Sequence, residues 1–188
     1  PYSRVNHLKL TSGHKYSWDT FSLTWNVGYQ NNHREEMSLF HTHYGNQTAP
    51  EKDSDKELAF TLHTISSSLF AKIYNSENWV HTVGWDIQYQ KNTISGYSFL
   101  LPRYSRFTTG AYWISSYQLN DYISFNGGAR YDYGHIKASA YQDTYLETYL
   151  AEQGYSQEDI DTYKWRSHSV DRGMGDFSAS LGVVYTKG

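Results

Sequence analysis

The sequence predicts an all-β chain: an antiparallel up-and-down meander of about seven long strands, part of a transmembrane β-barrel, with a helical insertion in its last long connection. Three observations carry this. In the stretch 79–90 the odd positions read Trp79, His81, Val83, Trp85, Ile87, Tyr89 and the even ones Val80, Thr82, Gly84, Asp86, Gln88, Gln90, a period of two with an apolar and a polar face. That alternation lasts roughly twice the ~5–6 residues of an ordinary strand, about the length a tilted strand needs to cross a bilayer. It also recurs: Phe21, Leu23, Trp25, Val27, Tyr29 alternate with Ser22, Thr24, Asn26, Gly28, Gln30, and Ile123, Phe125, Ala129, Tyr131, Tyr133 with Ser124, Asn126, Gly128, Arg130, Asp132. Finally, the connections run short, long, short, long, short, long, the rhythm of a barrel with tight turns at one rim and long loops at the other.

The 188 residues suffice for one domain. A mean hydropathy of -0.73 looks too polar for a packed core, yet 18% of the residues are aromatic, 19 of them tyrosine. Disordered chains are poor in aromatics, whereas membrane barrels carry aromatic girdles. A net charge of -3 with scattered Lys and Arg excludes a nucleic-acid interface, and the absence of cysteine excludes disulfides and thiolate chemistry. No apolar run is long enough for a transmembrane helix. Pro1-Tyr2-Ser3-Arg4 does not open a signal peptide, so the expectation is a leader already removed or a piece of a longer chain.

In order, the predicted strands are 5–16, 20–32, 57–74, 79–92, 107–119, 122–137 and 176–186. The first is blurred by Lys9, Gly13 and Lys15, and a tight turn at 17–20 leads to the second. The charged run His33-Arg34-Glu35-Glu36 opens a long loop over 33–56. In the third strand Leu58, Phe60 and Leu62 fall on one parity and Leu69, Ala71 and Ile73 on the other, which predicts a β-bulge near Ser66-Ser67-Ser68. Turns at 75–78 and 119–122 and a loop over 96–106 separate the next strands. The last loop, 138–175, should hold a helix over 144–152 stopped by Gly154, then a second short helix capped by Ser156 with Asp159 three residues on. Seven strands is an odd count, and no terminal aromatic closes the last strand, so the chain is expected to be a segment of a larger barrel.

Two motifs carry a resemblance. Gly28-Tyr29-Gln30-Asn31-Asn32-His33-Arg34-Glu35-Glu36 and Gly127-Gly128-Ala129-Arg130-Tyr131-Asp132-Tyr133 are similar to strand ends and strands in the barrels of TonB-dependent outer-membrane receptors. The resemblance implies a parent barrel of about 22 strands with a plugged lumen. It further implies uptake of a scarce nutrient, an iron complex such as a siderophore or haem, in the outer membrane of a Gram-negative bacterium. The partners it implies are outer-membrane lipid and, through the full-length parent, a plug domain and the TonB complex. No plug segment or TonB box is recognisable in this sequence.

Candidate substrate-binding residues are His33, His41, His43 and Tyr44 in the first long loop, because imidazole is a common ligand of transition metals and haem iron. Candidate lumen-facing polar residues are Asp86, Gln88, Asn126, Arg130 and Asp132, since a cation facing lipid at the bilayer midplane costs about 2–4 kcal/mol. No resident cofactor or metal is expected. No nucleophile motif such as G-x-S-x-G occurs, and catalysis is not expected. The competing classes are a soluble β-rich carbohydrate- or ligand-binding module, whose turns should recur about every 8–12 residues, and a complete small outer-membrane barrel. An isolated segment would bare two strand edges and the outward Trp25, Trp85, Trp113 and Phe125, so it should need detergent, close on itself, or self-associate.

Overall fold

The computed structural model describes residues 1–42, 44–45 and 47–187. Its main element is a seven-stranded antiparallel sheet in chain order: β1 (Tyr2–Ser17), β2 (Phe21–Met37), β3 (Lys56–Ser76), β4 (Trp79–Ser95), β5 (Tyr104–Gln118), β6 (Ile123–Ala138) and, last, β9 (Val170–Tyr185). Between β6 and β9 lie β7 (Tyr141–Gln142), α1 (Thr144–Glu152), α2 (Gln157–Tyr163) and β8 (Trp165–Ser167), with β7 and β8 paired as a small ribbon. The expected all-β meander is thus the observed one. The sheet is open, with β1 and β9 as its edges.

Direct antiparallel partners put their side chains on the same side of a sheet, so the registers assign the faces. One continuous row is Leu23, Ala71, Val83, Trp113, Ala129 and Ala179, all on the apolar face; another is Asn26, Ser68, Asp86, Gly110, Asp132 and Asp176, all on the polar face. Among the described residues neither face is covered by a second layer of strands or helices, since each long strand contacts only its sheet neighbours. Among the described residues the buried apolar side chains are Leu58, Ala59, Leu150 and Ile160, none of them at the centre of the sheet. A single bare layer is an incomplete folding unit, because a sheet must bury its apolar face against something.

The strands outrun their sequence-based bounds at the loop end. β2 continues to Met37, so His33 to Glu36, expected to start the loop, remain in the ladder opposite Asn6 to Ser3. The faint β1 pairs with β2 along its whole length, Tyr2 with Met37 through Ser17 with Ser22. Alternation marks only the part of a strand whose two faces meet different surroundings, whereas backbone pairing continues beyond it.

The same point corrects the expected bulge. Register runs unbroken through Ser66, Ser67 and Ser68 against both neighbours, and the irregularities of β3 lie at its ends, by Lys56 and between Tyr74 and Ser76. Leu58, Phe60 and Leu62 simply occupy the polar-parity face at the loop end, where they sit between Glu36, Arg34, Asn32 on β2 and Ile94, Asn92 on β4. The apolar row changes side with no extra residue inserted.

The tight turns gather at one end. Trp18 stacks on Phe21 with ring centroids 4.2 Å apart, and Trp18 N–H donates to the Phe21 carbonyl at 2.8 Å. The insertion follows its capping residues. Asp143 accepts from Leu146 N–H at 3.0 Å to start α1, Gly154 at φ +77° follows its end, and Ser156 accepts from Asp159 N–H at 3.2 Å to start α2. Leu150 and Ile160 are the buried residues of the two helices.

Candidate functional site

The polar face forms a shallow trough of about 720 Å³ across β1 to β6, reached by Lys9, Gln30, Ser66, Gln88, Arg130 and Asp132 among others. Arg130 organises its centre. Its Nε and Nη2 donate to the two carboxylate oxygens of Asp132, both at 2.7 Å, and Nη1 reaches Asp86 Oδ2 on β4 at 3.1 Å. Its guanidinium also lies 5.5 Å from the Tyr112 ring centre. A fork holding two carboxylates fixes the side chain in one orientation, which a lysine could not reproduce.

Two glycines make room for this arrangement. A Cβ at Gly110 would come within 2.2 Å of Asp132 Oδ1, and one at Gly84 within 2.2 Å of the Tyr112 ring. The Tyr112 ring therefore lies over Gly84 and the ion pair over Gly110. Gln88 accepts from Arg106 at 3.5 Å, Gln90 donates to Thr64 at 3.1 Å, and Asn126 shares the polar face opposite Ser116 and Gly182. The expected polar residues are thus placed on one face, and Asp86, Arg130 and Asp132 are brought into contact.

The loop candidates are held differently. His33 stays on β2, bonded through Nδ1 to Thr61 Oγ1 at 2.8 Å and 3.4 Å from Glu35, on the side of the sheet opposite the trough. His41 lies in the 38–55 loop beside Tyr97, whose hydroxyl is 3.4 Å from its Nδ1, and 3.8 Å from Glu57. Ser38 ties the same group together, donating to Glu57 at 2.8 Å and lying 2.8 Å from the Tyr97 hydroxyl. Tyr44 is near Tyr149 of α1, ring centres 5.5 Å apart, and its hydroxyl accepts from Arg166, which also donates to Asp143 at 3.1 Å. Burial pushes the Tyr44 hydroxyl above its ordinary range. His43 lies outside the described residues.

The sequence did not single out Tyr97, Glu57, Arg166 or Tyr149, although they join the first and second loops and the first loop and the insertion. Phe99 and Tyr141 add a stacked pair at 4.2 Å linking the second loop to β7. These rings gather at the loop end and provide surfaces for stacking and hydroxyl hydrogen bonds.

Replacing Arg130 by alanine should lower stability by about 1 kcal/mol in the isolated chain, because the partners remain more than a third exposed and water screens the pair. Arg130→Lys should recover little of it. Denaturant midpoints in detergent check both, and an unchanged midpoint for Arg130→Ala would show the fork contributes nothing.

In the insertion, Lys164 donates to Asp161 at 2.6 Å and Glu147 at 3.2 Å. The hydrogen bond with Lys164 lowers the Asp161 pKa from its ordinary 3.8, and that with Asp161 raises Lys164 from 10.5. The aspartate contribution is therefore present above pH 3.8 and lost as pH falls through its lowered value, and the lysine contribution is present below 10.5 and lost as pH rises through its raised value. Methyl signals of Leu150 and Ile160 should stay constant between these limits and shift beyond them; a transition near pH 7 would contradict this assignment.

No protein-family model matches the chain, and no curated protein does. Among solved structures, the ferric yersiniabactin uptake receptor FyuA from Yersinia pestis is similar over 98% of this chain, with a TM-score of 0.59 and 14% sequence identity. The match covers 26% of that receptor, so the chain spans about a quarter of its length. At that identity the likeness concerns the fold: the meander has the shape of a section of a receptor's β-barrel wall.

Proposed function

We propose that the chain is a wall section of a TonB-dependent receptor in the outer membrane of a Gram-negative bacterium, one that takes up an iron complex. The observation that carries the membrane reading is the treatment of polar hydrogens on the apolar face. Its four tryptophans donate their indole N–H groups across to neighbouring strands: Trp25 to Ser67 at 2.9 Å, Trp79 to Ser115 at 2.9 Å, Trp85 to Thr109 at 2.7 Å and Trp113 to His81 Nδ1 at 3.3 Å. In water these donors need no internal partner. In hydrocarbon an unmade hydrogen bond costs roughly 2–7 kcal/mol, so closing each one suits a face without water.

The dimensions agree. On β4 the apolar row runs from Trp79 to Tyr89, about ten steps of ~3.4 Å, which at a tilt near 45° spans roughly 24 Å against the ~25 Å apolar band of such barrels. Beyond it, in one register row, stand Asn31, His63, Lys91, Ser105 and Lys137. Polar side chains there meet head groups. The opposite face, with its ion pair and trough, then lines the lumen toward a plug domain, while the loop end faces outward with its aromatic residues and His41. No catalytic role is proposed.

The chain contains no cysteine, so single labels can be placed cleanly. Nitroxides at Val83 and Ile87 in lipid vesicles should collide with oxygen dissolved in the hydrocarbon, and labels at Ser66 and Gln88 should respond instead to a water-soluble nickel chelate. Equal water accessibility on both faces would overturn the membrane assignment. For the substrate, a His41→Ala, His43→Ala double change in the full-length parent should weaken binding of a ferric siderophore about tenfold, the equivalent of ~1.4 kcal/mol. Unchanged affinity would leave both histidines as ordinary loop residues.

A further inference from the structure

The aromatic cover of the apolar face is interrupted over β6. On β6 the apolar face carries two small residues in succession, Gly127 and Ala129, which stand opposite Ser115 and Trp113 on β5 and opposite Leu181 and Ala179 on β9. Around this floor rise Trp113, Tyr117, Phe125 and Leu181, leaving an open slot of about 640 Å³. Its floor is one strand wide, and its walls stand two strand spacings apart, about 9.5 Å.

The slot offers a hydrogen-bonding guest little beyond the Tyr117 hydroxyl and the Ser115 O–H, because its indole N–H groups are already engaged. Trp79 Nε1 and Ser115 Oγ are bonded to each other, and Trp113 Nε1 is taken by His81. Backbone groups at its floor are engaged in the ladders on both sides of β6. A peptide or a sugar entering it would leave its own donors unpaired, at a cost of a few kcal/mol each. A saturated hydrocarbon would lose nothing and would gain dispersion contacts with three rings and a leucine. The slot is continuous with the apolar band, so such a guest needs no separate route in.

We propose that this slot is a binding site for one acyl chain of a membrane phospholipid, held in the gap over Gly127 and Ala129 more tightly than the lipid around it. The site rests on the reading of this face as lipid-facing. The small floor residues let the chain descend to the backbone, and Phe125 and Leu181 flank it.

The test reconstitutes the full chain with phospholipid, washes it extensively in detergent and records native mass spectra. Wild type should retain a stoichiometric phospholipid mass. Ala129→Leu fills the floor and should lose it, whereas Ala71→Leu makes the same change elsewhere on the same face and should keep it. Retention unaffected by Ala129→Leu, loss with Ala71→Leu as well, replacement by detergent alone, or a second copy of the chain in place of lipid would each overturn the slot. Failure of the slot is separable from failure of the underlying reading: if no lipid is retained but the chain still needs detergent to stay monodisperse, the membrane assignment stands without the slot. A monodisperse chain in plain buffer would remove both.

Discussion

An antiparallel ladder sends successive side chains to opposite sides, and every position on this sheet inherits its surroundings from that constraint. Shifting β4 by one residue would drive Asp86 away from Arg130 and onto the face carrying Trp25 and Trp113. The penalty would not be confined to the ion pair. Trp85 would lose Thr109 and Trp113 would lose His81 at the same stroke, because their acceptors lie on the neighbouring strand at fixed register. The cross-strand indole bonds and the Arg130 fork therefore lock the same register from opposite sides.

How much of this was legible in the sequence depended on the range of the interaction. Turns, helix ends and alternating faces are local, and the capping residues Asp143 and Ser156 act on N–H groups three residues away, so α1 and α2 were readable from spacing. The parity change in β3 was equally visible but had two physical causes, an inserted residue or a change of environment. Sequence alone could not separate them, since only pairing shows that Ser66 to Ser68 keep register with both neighbours. The loop contacts were not readable at all. Tyr44 meets Arg166 across more than a hundred residues, and nothing in either residue's neighbourhood announces the other.

The candidate site was legible by face and illegible by partner. Period two put Asp86, Arg130 and Asp132 on the polar side, but their contact required β4, β5 and β6 to be consecutive neighbours with Gly110 between the acids. Gly110 and Gly84 carry little information as isolated glycines in strands, where the usual meaning is weakness or a bend. Here each stands beneath a side chain from the next strand. The same holds across the sheet, where Tyr131 and Tyr133 reach over Gly175 and Gly173 with their hydroxyls 2.4 and 2.6 Å from where a Cβ would be.

Small residues thus do opposite things on the two faces, and the difference follows from what fills the space above them. On the polar face Gly84 and Gly110 are covered by Tyr112 and by the carboxylate of Asp132, so the gap is occupied by the chain's own atoms. On the apolar face Gly173 and Gly175 are covered by tyrosines, whereas Gly127 is met only by the tip of Leu181, whose Cδ1 would lie 3.3 Å from a Cβ there, and with Ala129 it lines the slot between Trp113 and Leu181. An uncovered glycine in a strand leaves dispersion contacts unmade and weakens the strand, unless something outside the chain supplies the missing atoms. A face whose indole N–H groups are already closed internally takes those atoms most favourably from an apolar source. Among the described residues the sheet has two bare edges and no second layer, and on the proposed reading these are filled by neighbouring strands at the edges, a hydrated partner on the polar face and hydrocarbon on the apolar one.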